Sequence, residues 1–86
     1  MVQVHFTPHL SAWVPPGPHA VAAGHLAEAL QAVFARYPAA RSYVLDEQGR
    51  LRKHVSVFVD GQRCASLDAK LDAAAAVHVL QALSGG

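Results

Sequence analysis

The chain has 86 residues and a mass of 9.1 kDa; 52% of its positions are apolar and 15% charged, and its formal net charge is +1. That length holds one domain around one core, and a domain so small buries only roughly 60% of the surface of its unfolded chain, leaving little room for a deep cleft lined by several catalytic groups. The near-neutral balance argues against a strong nucleic-acid field or an acidic tail, the single cysteine Cys64 excludes an internal disulfide framework and points to a reducing compartment, and no apolar run approaches the roughly 18 to 20 residues of a membrane span.

Residues 1–5 lack the basic and apolar regions of a signal peptide, so a soluble cytoplasmic protein is expected. Val2, Val4 and Phe6 alternate with Gln3, His5 and Thr7, the period-2 pattern of a half-buried strand. From Pro8 to Pro18 the text is irregular, and Val14-Pro15-Pro16-Gly17-Pro18 reads as a stiff connecting loop, because each proline removes a backbone donor and fixes φ. Residues 19–23 return as a short second strand. Leu26, Leu30, Val33, Phe34 and Tyr37 then recur at helical spacing with Glu28, Gln31 and Arg36 off the stripe, predicting one amphipathic helix over residues 25–37 that Pro38 ends. Gly24 is the best available N-cap. Residues 39–45 fit a one-turn helix or loop packed on the core, followed by a turn at Asp46-Glu47-Gln48-Gly49.

Val55, Val57 and Val59 alternate with His54, Ser56 and Phe58, and Asp60-Gly61 is a strong hairpin signal, since a type I′ turn needs φ > 0 at both central residues. Residues 62–67 are expected as the returning strand, and Val77, His78, Val79 and Leu80 as the last. The order predicts an α+β fold: a small mixed sheet of four to five strands covered on one face by one main α-helix. With the first and last strands side by side, Val2, Val4, Phe6, Val55, Val57, Val59, Val77 and Val79 face the helix. His5, Ser56, Phe58, His78 and Leu80 share the uncovered face, where Phe58 is expected as an exposed aromatic marking a contact surface.

The chain closes on Gly85-Gly86, a few residues past that last strand. Two residues without Cβ atoms thread a narrow channel, so a partner's active site can close around the peptide and reach the terminal carboxylate. With this end, the strand Val2-Gln3-Val4-His5-Phe6, the Arg36-Tyr37-Pro38 helix exit and the Gly49-Arg50-Leu51-Arg52-Lys53-His54-Val55 run before the hairpin, the chain resembles the MoaD/ThiS sulfur carriers, ubiquitin-like β-grasp proteins, and among them the cysteine-biosynthesis and thio-metabolite type. It departs from them at Gln81, where members usually have proline, and at residues 73–76, four alanines in place of a Gly-Asp turn.

The resemblance implies a β-grasp domain over residues 1–82 and a flexible tail, Leu83, Ser84, Gly85 and Gly86, that threads into a partner. It implies that an E1-like adenylyltransferase activates the Gly86 carboxylate with ATP, that a sulfur donor of rhodanese or desulfurase type converts it to a thiocarboxylate, and that a downstream synthase accepts the sulfur. The carrier supplies position rather than catalysis, and binds no cofactor of its own. No G-x-x-x-x-G-K-[ST] loop is present, so ATP belongs to the partner. Phe58, His5, His78 and Leu80 are the expected partner-binding residues. Two other readings use the same terminus: a ubiquitin-like modifier conjugated to lysines, and the small subunit of a molybdopterin-synthase-type complex.

The remaining candidates read as structure. Histidines at 5, 9, 19, 25, 54 and 78 have no metal-ligand spacing, and no metal site is expected. Arg50, Arg52, Lys53 and His54 form a basic cluster without the interleaved aromatics of a nucleic-acid patch, and fit a solvated strand entrance or a rim contact to an acidic partner. Cys64 reads as a small apolar strand residue rather than a nucleophile.

Overall fold

The computed structural model describes residues 1–81. Among them, five strands form one mixed sheet: β1 (Val2–Phe6), β2 (His19–Val21), β3 (Val55–Val59), β4 (Gln62–Arg63) and β5 (Ala76–Gln81). Their spatial order is β2-β1-β5-β3-β4; β1 and β5 run parallel and every other neighbouring pair is antiparallel. A parallel pair needs a long crossover, and residues 22–54 with the β3–β4 hairpin supply it. Two helices follow β2, α1 (Leu26–Arg36) and α2 (Pro38–Val44). The fold is the predicted α+β arrangement, with the full count of five strands.

Alternation decides which atoms build the core. Val2, Val4, Phe6, Val55, Val57, Val77 and Val79 are all buried on the helix side, together with Leu26, Ala29, Leu30, Val33 and Phe34 of α1. Leu26 and Leu30 are wholly buried, each contributing about 1.5–3 kcal/mol of apolar transfer free energy. Val59, expected with this set, is only half-buried, packed at the margin of the core where β3 ends. The turn joining β3 to β4 has Asp60 at φ 50° and Gly61 at φ 84°, the two positive values a type I′ turn requires.

Three local expectations give way to contacts between distant segments. First, α1 is capped by main chain rather than by Gly24. His25 holds the N-cap position without a side-chain bond to the helix backbone, the Leu26 and Ala27 N–H groups donate to the Ala69 and Leu67 carbonyls at 2.9 Å each, and Glu28 Oε1 accepts from Gly24 N–H at 3.1 Å. Second, those carbonyls explain why the returning strand stops at Arg63 instead of reaching Leu67. After Cys64 the chain leaves the sheet to close the start of α1, where Leu71 N–H also donates to Gly24 O at 2.9 Å. Third, Pro38 both ends α1 and opens α2. A proline at the first helical position lacks a donor that would be unsatisfied anyway, so the segment forms a seven-residue helix with Ala40 and Val44 buried.

The connector between β1 and β2 also does more than link them. It contains a 3₁₀ turn (Pro8–Leu10), and it buries Leu10 and Val14 in the core. Pro16 O accepts from Phe6 N–H at 2.8 Å, which seats the proline segment against β1. Gly17 has φ +98°, and a Cβ there would lie 2.6 Å from Val4 O, so only glycine fits.

Candidate functional site

The register of four strands places His5, His78, Phe58 and Arg63 in one row across the uncovered face. His5 pairs with His78 across the parallel ladder, His78 with Phe58, and Phe58 with Arg63. One step along, Ser56 stands opposite Leu80. The four expected partner-binding residues, His5, Phe58, His78 and Leu80, are therefore together on this face with Ser56. Leu80 is among the exposed large apolar residues, at 41%, and His78 is exposed, whereas Phe58 is half-buried rather than fully exposed. Its cross-strand neighbours, His78 and Arg63, explain that partial cover.

The rings of His5 and His78 stack with centroids 4.4 Å apart and planes 5° from parallel. Burial pushes the His5 pKa below its ordinary value, and the charges that His78 and His19 would carry act in the same direction. The stacked ring pair beside Phe58 and Leu80 makes a mostly apolar surface with a few hydrogen-bonding edges, a composition suited to protein contact. His19 points the other way. It is buried, its Nε2 lies 2.7 Å from Pro15 O, and its ring meets Phe6 and Tyr37 edge-on.

Arg63 is the face residue that sequence reasoning missed. The signal was available: a two-residue turn at Asp60-Gly61 pairs Val59 with Gln62, and hence Phe58 with Arg63. The turn is tied to the central strand as well, since Asp60 N–H donates to Ala76 O at 2.8 Å and Asp60 Oδ1 accepts from Ala76 N–H at 2.9 Å.

Leu83, Ser84, Gly85 and Gly86, to which the tail chemistry is assigned, lie outside the described residues. What is described is their origin: Gln81 is the last residue of β5, which is held between β1 and β3. Among the described residues, no three His, Cys, Asp or Glu side chains gather where they could hold a metal ion. His25 pairs with Glu28 at 2.9 Å, and Cys64 packs against the edge of the core. No helix among the described residues is long and apolar enough to cross a membrane.

No family model matches the sequence, and no curated protein sequence matches it. Solved structures do. The fold superposes on CysO of the BexX/CysO complex from Amycolatopsis orientalis with a TM-score of 0.84 at 19% identity, over 100% of both chains. It superposes on SAMP1 from Haloferax volcanii with a TM-score of 0.80 at 20% identity, over 99% of this chain and 98% of that one. With Urm1 from Trypanosoma brucei the TM-score is 0.73 at 21% identity, over 99% of this chain and 94% of that one. Likeness at this level of identity identifies the fold, a ubiquitin-like β-grasp, and the match runs nearly end to end.

Proposed function

We propose that this chain is a sulfur carrier whose reacting group is the carboxylate of Gly86, free either as translated or once anything beyond it is removed. The observation that carries the reading is the end-to-end match of this small β-grasp to CysO, in a sequence that places Gly85-Gly86 a few residues after the central strand. Gly86 is five residues beyond Gln81, so the tail reaches at most about 17 Å from the sheet. That is enough to enter a partner's active site while the open face stays docked outside it.

A carboxylate is a poor electrophile. An E1-like adenylyltransferase attaches AMP from ATP to the Gly86 carboxylate and releases pyrophosphate. A donor of rhodanese or desulfurase type presents its sulfur as a persulfide, whose terminal sulfur displaces AMP to give an acyl disulfide; a second thiol then attacks the donor's sulfur, leaving –COSH on Gly86 and a disulfide on the donor. The thiocarboxylate is the better nucleophile, and it passes sulfide to an activated substrate on a downstream synthase. His5, His78, Phe58 and Leu80 hold the activating enzyme, and Leu83 and Ser84 span to the glycines. CysO is found in complex with a protein partner, BexX, which supports a role exercised through other proteins.

The test is intact-mass spectrometry after incubation with the cognate activating enzyme, ATP and a sulfur source. The expected product is heavier by one oxygen-to-sulfur exchange, and it disappears when Gly86 is deleted. No mass change in the wild type, or the same change in the deletion, overturns the reading. A second reading, a modifier joined to lysines through the same terminus, is favoured by the likeness to the archaeal modifier protein SAMP1. A ladder of higher-mass species on immunoblots of cell extract, lost on deleting Gly86, would select it.

A further inference from the structure

The sheet has one strand with an incomplete edge. β3 is paired along its length with β5, but β4 covers it only at Phe58 and Val59. Cys64 N–H donates to Val57 O at 2.7 Å before the chain departs for α1. In an antiparallel pair alternate residues direct both backbone groups to the same side, so Val55 and Val57 aim theirs away from β5. Val55 N–H donates to Arg52 O at 3.0 Å; among the described residues, Val55 C=O and Val57 N–H have no partner.

This pair of groups opens on a groove of about 390 Å³ whose lining includes Arg50, Arg52, Ser56, Arg63 and Cys64. Arg52 stands at the Val55 end and Arg63, opposite Phe58, at the other, bracketing roughly 10 Å of strand. Arg52 Nε donates to Ser42 O at 2.7 Å and an Arg50 guanidinium nitrogen to Gln48 Oε1 at 2.6 Å, so both side chains are anchored by neutral groups. Among the described residues, no carboxylate oxygen lies within 4.0 Å of the guanidinium nitrogens of the three arginines; the one ion pair joins His25 to Glu28. Asp46 is the acidic neighbour. Its carboxyl is held below the usual range first by the Arg50 N–H, and its Oδ1 accepts from both Gln48 and Arg50 amides.

We propose that this edge takes an extended acidic segment of a partner protein as an added strand. One residue of the segment donates its N–H to Val55 O and accepts from Val57 N–H, a spacing that suits parallel addition opposite Ser56. Carboxylates on either side of it meet Arg50 and Arg52 at one end and Arg63 at the other. Arg63 is distant in sequence from Arg50 and Arg52, and the three converge because the β3–β4 hairpin folds Arg63 back beside the segment that enters β3.

The probe is a fluorescein-labelled Glu-Val-Glu-Val-Glu peptide titrated against the full chain by fluorescence polarisation. Saturable binding is expected, weakened about ten-fold when the central glutamate is N-methylated, and by a similar factor in Arg52→Glu or Arg63→Glu. In ¹⁵N-correlated spectra the Val57 and Cys64 amides move most. Deleting Gly86 leaves the affinity unchanged, so this edge and the carrier chemistry are broken by different results. No saturation up to about 1 mM overturns the proposal. So do equal affinity of the N-methylated peptide, shifts centred on His78 instead of Val57, loss of binding on deleting Gly86, or tighter binding of an oligothymidylate, which would make the groove a general polyanion site.

Discussion

The two faces of the sheet are built from the same strands, one residue out of step, and they have nothing else in common. Val4, Val57 and Val77 are buried under α1, while their neighbours His5, Phe58 and His78 form a row open to solvent. Holding the fold together and presenting a surface are thus assigned to alternate positions of one backbone. A substitution on one face should leave the other's role nearly untouched.

The largest effect belongs to the covered face. Leu30→Ala should cost about 3 kcal/mol in urea denaturation, since a wholly buried leucine leaves a cavity that the surrounding helix and sheet close only in part. A loss below about 1 kcal/mol would mean that the two faces differ less than their burial suggests. Gly17→Ala comes next, at about 2 kcal/mol by thermal melting, because it forces a left-handed backbone and drives a methyl against Val4 O. Phe58→Asp should lower stability by only about 1 kcal/mol while weakening the activating enzyme's grip about ten-fold or more in a titration. Unchanged affinity would remove Phe58 from the contact surface.

The smallest effect is one of pH. The folded state lowers the His5 pKa below 6.5, so the unfolded chain binds the proton more readily. Stability from neutral His5 is complete above about pH 6.5 and declines as pH falls toward the folded value. The slope is shallow because the ring is only partly buried. His5→Gln should flatten this part of the stability profile, and His78→Gln should reduce it by removing one of the charges that disfavours protonation. An unchanged profile in both variants would separate the stacked pair from the titration.

Elements set by neighbours in sequence were legible in it. The valine alternation marks β1, β3 and β5, the leucine stripe marks α1, and Asp60-Gly61 marks the hairpin together with the register that aligns Phe58 with Arg63. Elements set by distant partners were not. Nothing near His25 announces that the carbonyls of Leu67 and Ala69 will cap α1, and for the same reason β4 reads longer than its two residues. The open face could be read from alternation alone, with Arg63 recoverable from the turn. The basic groove could not, because Arg50 and Arg63 meet only through the path the chain takes between them.

The central position of β5 also sets an order of events. β2 and β1 make one hairpin, β3 and β4 another, and neither touches the other through the sheet until residues 76–81 are laid between them. A chain cut before Ala76 lacks the strand that joins the two hairpins, and pairings of such long sequence separation close late. Whatever follows Gln81 is therefore presented only by a finished fold. Any enzyme that recognises the open face, whose central histidine and leucine sit on β5, is at the same time testing that the protein has folded.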